Sequence, residues 1–280
     1  MKKAIWSIVL FLLVAVIAVG VYMYFTIGNA FKDNIEVDSL SSYGGGRKNV
    51  LIVGTDESGM RSDVMMIASF PSGKGSINLM SVPRDTCATV NGSLAKINSA
   101  MNNGNDSLTQ AVQDLTGIKI HDFVKVNFDA VAGIVDELGG IQFYVPENMD
   151  YEDPVQDLYI HLQRGHQLLK GDEAVQLLRF RGYSAADIQR TRVQRRFLKA
   201  AFAQKGKIGY VFKVPAIMNV IGENMESTVT SNGAIQYLLR AALADGMQTI
   251  EMPFNWGGPI SGGVTLDTTK IDEVVQNCFE

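Results

Sequence analysis

Cysteine is scarce in this sequence: Cys87 and Cys278 are the two in 280 residues. Metal binding through cysteine takes more thiols than that. An oxidising exterior would let the pair form a disulfide, but they lie far apart in sequence and the reading adopted is two free, partly buried thiols. Histidine is nearly as rare, and His121, His161 and His166 stand in no Ser-His-Asp arrangement; they read as surface or core residues. Positive charge is also in deficit, with 25 Lys and Arg against 29 Asp and Glu and a net charge of −4. Nucleic-acid binding usually needs a basic surface, so that function is disfavoured. Low-complexity tracts and internal repeats are absent. What remains, 46% hydrophobic and 19% charged, is the composition of an ordinary folded protein long enough for one good-sized domain or two small ones.

The N-terminus supplies the long apolar run. Ile5 to Phe25 is a 21-residue stretch with no charge and one serine. As a helix it spans roughly 32 Å, close to the roughly 30 Å hydrocarbon core of a bilayer. It is longer than a cleaved signal peptide's apolar core and no Ala-x-Ala follows it. Lys2 and Lys3 precede it, which predicts a short inner N-terminus (1–4), a single-pass anchor (5–27) and everything after it outside the cell. Without residues 1–27 the chain carries 23 basic against 29 acidic residues, a net −6. Residues 28–48 end in SSYGGGRK and read as a flexible tether.

The folded body starts at NVLIVG (49–54), followed by DVMMIASF (63–70) and SINLMSV (76–82), three short apolar runs that predict strands. FVKVNF (123–128) and IQFYV (141–145) predict two more. Helical periodicity covers 107–115, 129–138 with Asp129 as N-cap, 172–180, about 187–204 and about 234–244. Strands and helices interleave, which predicts an α/β fold with a mixed central sheet flanked by helices, over 49–207, with 208–280 as a remainder packed on the same domain.

Hairpin geometry gathers charge at one edge of that sheet. Pairing the first two strands brings Asp56 and Asp63 to the same end. If Phe70 faces Ile77 across PSGKGS, residues whose numbers sum to 147 are opposite, and Asp63 faces Arg84; Arg61 joins them. Two carboxylates among arginines fit either a structural ion-pair cluster or a site where the carboxylates hold a hard divalent cation and the arginines fork onto phosphate oxygens.

The second concentration of charge is RFRGYSAADIQRTRVQRR (179–196), with six of the chain's eleven arginines. At about 100° per residue, Arg190 and Gln194 share the sector of Val193, Phe197, Leu198 and Ala201. Arg192, Arg195, Arg196 and Lys199 fall opposite, as a solvated face. A buried guanidinium needs a carboxylate or an anionic ligand. Arg179 and Arg181, alternating in an extended segment, point the same way and suit a diphosphate.

Taken in order, VGTD, RSDVMM, SVPRDT, KINSAM, DELGGI, HLQRGHQLLKGDEA and RFR…D…R…Q resemble the LytR-CpsA-Psr family over about residues 49–204. The resemblance implies a membrane-anchored phosphotransferase of the bacterial cell wall that moves a glycopolymer, such as teichoic acid or capsule, with one phosphate from a polyprenyl-pyrophosphate lipid to peptidoglycan. It implies an α/β/α fold with an apolar pocket for the prenyl chain and a charged mouth for the pyrophosphate. By motif, Asp56 and Asp63 correspond to acidic residues near Mg²⁺ (or Mn²⁺). Arg61, Arg84, Lys96, Arg179, Arg181, Arg190 and Gln194 correspond to pyrophosphate-binding residues, with Arg84 also catalytic. Asp63 is alternatively the base that takes the acceptor's proton. The loop between Asp56 and Arg61 is short for the family, and Gln189 stands where relatives often have glycine; both bear on cargo and acceptor rather than reaction type. The competing readings are a lipid-pyrophosphate-binding protein or pyrophosphatase without polymer transfer, and a transcription regulator, whose folded body the anchor would place on the wrong side of the membrane.

Overall fold

The computed structural model describes residues 22, 23, 25–31, 34–55, 62–154, 158–180, 182, 183, 186–204 and 209–280. In chain order the strands are β1 (Lys48–Thr55), β2 (Ser62–Phe70), β3 (Ser76–Ser81), β4 (Cys87–Val90), β5 (Ser93–Lys96), β6 (Asp122–Val126), β7 (Ile141–Val145), β8 (Met149–Asp153), β9 (Leu158–Leu162), β10 (Gly165–Leu169), β11 (Met225–Ser227), β12 (Gly246–Glu251), β13 (Phe254–Trp256) and β14 (Val264–Leu266). The helices are α1 (Asn105–Thr116), α2 (Phe128–Leu138), α3 (Gly171–Arg179), α4 (Ala186–Ala203), α5 (Gly209–Asn224), α6 (Ser231–Leu243) and α7 (Thr268–Cys278), with a 3-10 segment at Ile97–Asn103.

Among the described residues the central sheet has six strands in the order β11-β6-β1-β2-β3-β12. It is mixed: β1 pairs parallel with β6 and antiparallel with β2, and β3 pairs parallel with β12. The expected β2–β3 register is the one observed, with Met66 opposite Ser81 and Ser69 opposite Asn78. Val82 extends it by donating its N–H to the Met65 carbonyl. Both edge strands come from the C-terminal segment, so residues beyond 208 complete the sheet rather than decorate it.

Period-two alternation sends side chains to two faces. Leu51, Val53, Met65, Ile67 and Met80 point to one face, where they pack with α1, the 3-10 segment and α7 in one large cluster. Val50, Ile52, Phe70 and Val124 point to the other, under α5 and α6. Met66, Leu79 and Met247 lie on that second face under Leu198 of α4. A separate layer made of β7–β10, β8–β9, α2 and α3 packs against the outer side of α4 through Val193 and Phe197. The strand predicted at 141–145 therefore exists but joins β10, not the central sheet.

Three local expectations give way to the structure. The N-cap of α2 is Asn127, whose side chain accepts the Ala130 N–H at 2.8 Å, so Asp129 lies within the first turn and the preceding strand stops at Val126. Arg179 is the last residue of α3, which ends the premise that 179–181 is extended. The segment read as a tether is instead a strap: Ser39 and Ser41 bond to Asp106 and Gln113 of α1, and Val37 is buried in the main cluster. Its serines supply hydroxyls to α1, which is why a Ser-rich stretch here is ordered rather than loose.

Residues 22, 23 and 25–30 are helical, and Ile27 and Phe31 are buried against Met218, Val229 and Ala234. Most of the predicted anchor lies outside the described residues; among the described residues no helix is long and apolar enough to cross a membrane.

Candidate functional site

β1, β3, β6 and β12 all end at one end of the sheet, where β2 begins. Of the predicted residues, the structure places Arg84, Lys96 and Arg179 toward that edge. In sequence Asp56 follows Thr55, which faces Ser62, the residue between Arg61 and Asp63. Asp56 and Arg61 lie outside the described residues, as do Arg181 and the side chain of Asp63.

Arg84 and Lys96 are brought together. Pro83 ends β3, and the turn after it is locked by Thr86 Oγ1 donating to the Pro83 carbonyl at 2.7 Å. The KIN segment docks on this turn: Ile97 N–H donates to Thr86 O and Asn98 N–H to Arg84 O. Asp85 then bridges the two cations, with Lys96 Nζ at 2.9 Å and Arg84 Nε at 3.6 Å. Asp85 was not among the predicted site residues, although it stands in the quoted VPRDT; only its contacts give it a role.

Arg179 reaches the same edge from above. Its guanidinium lies 5.0 Å from the ring centre of Phe128, the residue that starts α2 just past the end of β6. β6 and β3 are three strand spacings apart, roughly 14 Å, a gap that two long arginine side chains can narrow over a shared anion.

On α4, Arg190 and Gln194 are buried as the helical wheel requires. Gln194 Nε2 donates to the Leu178 carbonyl at 3.0 Å, so it braces the turn that carries Arg179, and its Oε1 is buried with no hydrogen-bond partner. Tyr183, also buried, has its phenol pushed above the ordinary range by burial and by Glu147, against the opposing influence of Arg190. The solvated set needs one correction. Arg192 and Arg196 are exposed, but Arg195 is 6% exposed and sits 3.3 Å from Glu251 at the end of β12. α4 is clamped between the sheet and the β7 layer, so it has two buried sides where a surface helix has one. Burial lowers the Arg195 pKa and Glu251 partly offsets that.

Below this edge, on the α5–α6 face, is an apolar cavity of about 310 Å³. Ile52 and Val124 line its sheet side and Met218, Leu238 and Ala241 its helix side. Tyr237 lines it too, with its hydroxyl 2.6 Å from Asp122, which also holds Lys48 at 2.8 Å. Asp122 and Lys48 open β6 and β1, so this network marks the end of the cavity away from the arginines.

A divalent cation takes hard oxygen donors. Asp56 and the side chain of Asp63, the carboxylates expected to hold it, lie outside the described residues, and among the described residues no group of three acidic, histidine or cysteine side chains is placed to hold a metal. Asp85 is already engaged by Lys96 and Arg84.

The described part of the site is thus an α/β domain with a cationic sheet edge above an apolar chamber. The chain belongs to the LytR_cpsA_psr family, whose model matches residues 17–279. It is 28% identical over 262 residues to TagU of Halalkalibacterium halodurans, a polyisoprenyl-teichoic acid–peptidoglycan teichoic acid transferase, covering 83% of this chain and 82% of that protein. It is 26% identical over 201 residues to TagV of Bacillus subtilis, which bears the same description, covering 69% of this chain. An uncharacterized protein of Staphylococcus aureus is 28% identical over 198 residues and 70% of this chain. The chain spans about half the length of these last two relatives, 51% and 48%. Among solved structures, TagT bound to LI-WTA superposes with a TM-score of 0.68 at 23% identity, over 89% of this chain and 95% of that one. A LytR-Csp2A-Psr enzyme from Actinomyces oris gives 0.72 at 19%, over 88% and 96%. These two likenesses are of fold.

Proposed function

We propose that this protein is a membrane-anchored, extracytoplasmic phosphotransferase that moves a glycopolymer with one phosphate from a polyprenyl-pyrophosphate lipid to peptidoglycan. The observation that carries the reading is the predominantly apolar cavity on the same sheet face as α4, with Arg84, Lys96 and Arg179 at the edge above it. A prenyl chain suits the cavity and a pyrophosphate suits the cations. The apolar Ile5–Phe25 stretch supports the anchor and the outward orientation.

The acceptor hydroxyl oxygen attacks the phosphorus next to the glycan. The bond from that phosphorus to the bridging oxygen breaks, and the lipid phosphate leaves with the electron pair. Arg84 and Arg179 hold the phosphate oxygens in line and stabilise the charge that develops on them; Arg61, Arg181 and Arg190 extend the same cradle. Lys96 and Asp85 keep Arg84 in place. Gln194 positions Arg179 through the Leu178 carbonyl. Asp63 is alternatively the base that takes the proton of the hydroxyl, a role open to it only when it does not hold the metal. Asp56 and Asp63 would hold Mg²⁺ or Mn²⁺, which when bound neutralises charge on non-bridging oxygens.

The test is reconstitution of the full chain with lipid-pyrophosphate-linked glycan, Mg²⁺ and peptidoglycan oligomers. A glycan–peptidoglycan adduct with one phosphate, lost about 100- to 1,000-fold in Arg84→Ala, is the expected result. Release of lipid phosphate without adduct, or near-normal turnover in Arg84→Ala, contradicts it.

A further inference from the structure

Beside the charged edge lies a stretch with no charge at all. From Met252 to Leu266 the sequence is MPFNWGGPISGGVTL, between Glu251 and Asp267. It folds as the β13–β14 hairpin, with Trp256 opposite Val264 and Asn255 opposite Thr265. Trp256 is 71% exposed, the highest value among the large hydrophobic side chains described. Its ring is set edge-to-face against Phe254, with centres 5.6 Å apart, so one side is propped and the rest left open.

The hairpin is fastened to the site. Val264 N–H donates to the Asp85 carbonyl at 3.1 Å, and Val264 bridges Thr86. A Cβ at Gly258 or Gly263 would fall 2.7 or 2.6 Å from the Cys87 sulfur, so only glycine lets the connecting loop lie flat on β4. Gly262 faces Lys96, whose Nζ would be 3.7 Å from an added Cβ. Trp256 thus stands about two strand spacings, roughly 10 Å, from the turn that carries Arg84 and Asp85.

An exposed indole on a hairpin with no charge, beside a loop that carries the exposed Ser261, fits a neutral, polyhydroxylated ring whose C–H face stacks on the aromatic. A charged peptide would find no counter-charge on the hairpin. We infer that Trp256 is the stacking platform of a pyranose subsite that takes the glycan strand of the acceptor and lays it toward Arg84. The identity of that sugar as acceptor rests on the transfer reading; the existence of the subsite does not. A disaccharide is about as long as that roughly 10 Å backbone separation, so a ring stacked on Trp256 would direct the next sugar's hydroxyl toward the Arg84 turn.

The test is a titration of the full chain in detergent, without donor lipid or metal, with a soluble β-1,4-linked N-acetylglucosamine tetramer. Trp6 and Trp256 are the two tryptophans, so in a Trp6→Phe background the emission reports Trp256 alone. A saturable emission shift, with binding about tenfold weaker in Trp256→Ala and within about threefold of the parent in Trp256→Phe, supports the subsite. If Trp256→Ala does not fold, the emission shift and Trp256→Phe decide. No saturable shift, binding by Trp256→Ala within about twofold of the parent, or a change in self-association alone overturns it. Sugar binding that persists when no transfer adduct forms would remove the transfer reading and leave the subsite standing.

Discussion

The two faces of the central sheet are made from the same strands but are filled differently. Leu51, Val53, Met65, Ile67 and Met80 meet α1 and α7 in a continuous cluster. At the alternate positions of the same strands, Val50, Ile52 and Phe70 meet α5 and α6 across a cavity of about 310 Å³. A sealed void of that size would cost on the order of 7 kcal/mol at about 24 cal/mol per Å³, against a typical domain stability of about 5–15 kcal/mol. Bulk hydrophobicity does not separate the faces. The difference lies in whether the covering helices close down on the strands, and the hollow face is the one that α4 shares with the cationic edge.

Truncation breaks or sharpens this contrast most strongly. Leu51→Ala on the filled face is expected to lose about 2–5 kcal/mol in denaturant unfolding, and Ile52→Ala, its neighbour on the hollow face, clearly less. Equal losses would mean the cavity side is as tightly packed as the other. Enlargement should invert the pattern. Ala100→Leu, at a fully buried site in the filled cluster, overpacks and costs about 1–3 kcal/mol. Ala241→Leu grows into the cavity, changes stability by less than about 1 kcal/mol and weakens uptake of a polyprenyl phosphate about tenfold, measured by ligand-induced shift in Tm.

The smallest effect is in pH. His121 accepts the Asn49 N–H through Nδ1, and burial holds its imidazole below the ordinary value of 6.5, with Asp122 opposing. The unfolded chain therefore takes up a proton that the folded one resists, so stability contributed here is present above pH 6.5 and falls away below it. His121→Asn should flatten that acid limb of the unfolding curve; an unchanged limb would assign it to other groups.

Much of this was legible in the sequence because it is local. The β2–β3 register follows from a short connector and period-two alternation, and the inward position of Arg190 and Gln194 follows from helical spacing. The edge strands β11 and β12 were not legible, since their partners β6 and β3 are distant in sequence and neither short run carries a strong pattern. Arg195 was misplaced for a related reason. A helix wheel assumes one buried side, and only the tertiary structure reveals that α4 has two. Asp85 and Glu251 gained their roles through contacts across the fold, with Lys96 and Arg195 respectively.

In the proposed function a prenyl chain fills the hollow face while its pyrophosphate meets the edge above. Photo-cross-linking with a polyprenyl pyrophosphate that carries a diazirine along the chain tests it directly. Labelled peptides are expected from β1, β6, α5 and α6, including Ile52, Val124, Met218 or Leu238. Label confined to the outer surface, or on the α1 and α7 side with Leu108 and Val275, would contradict it.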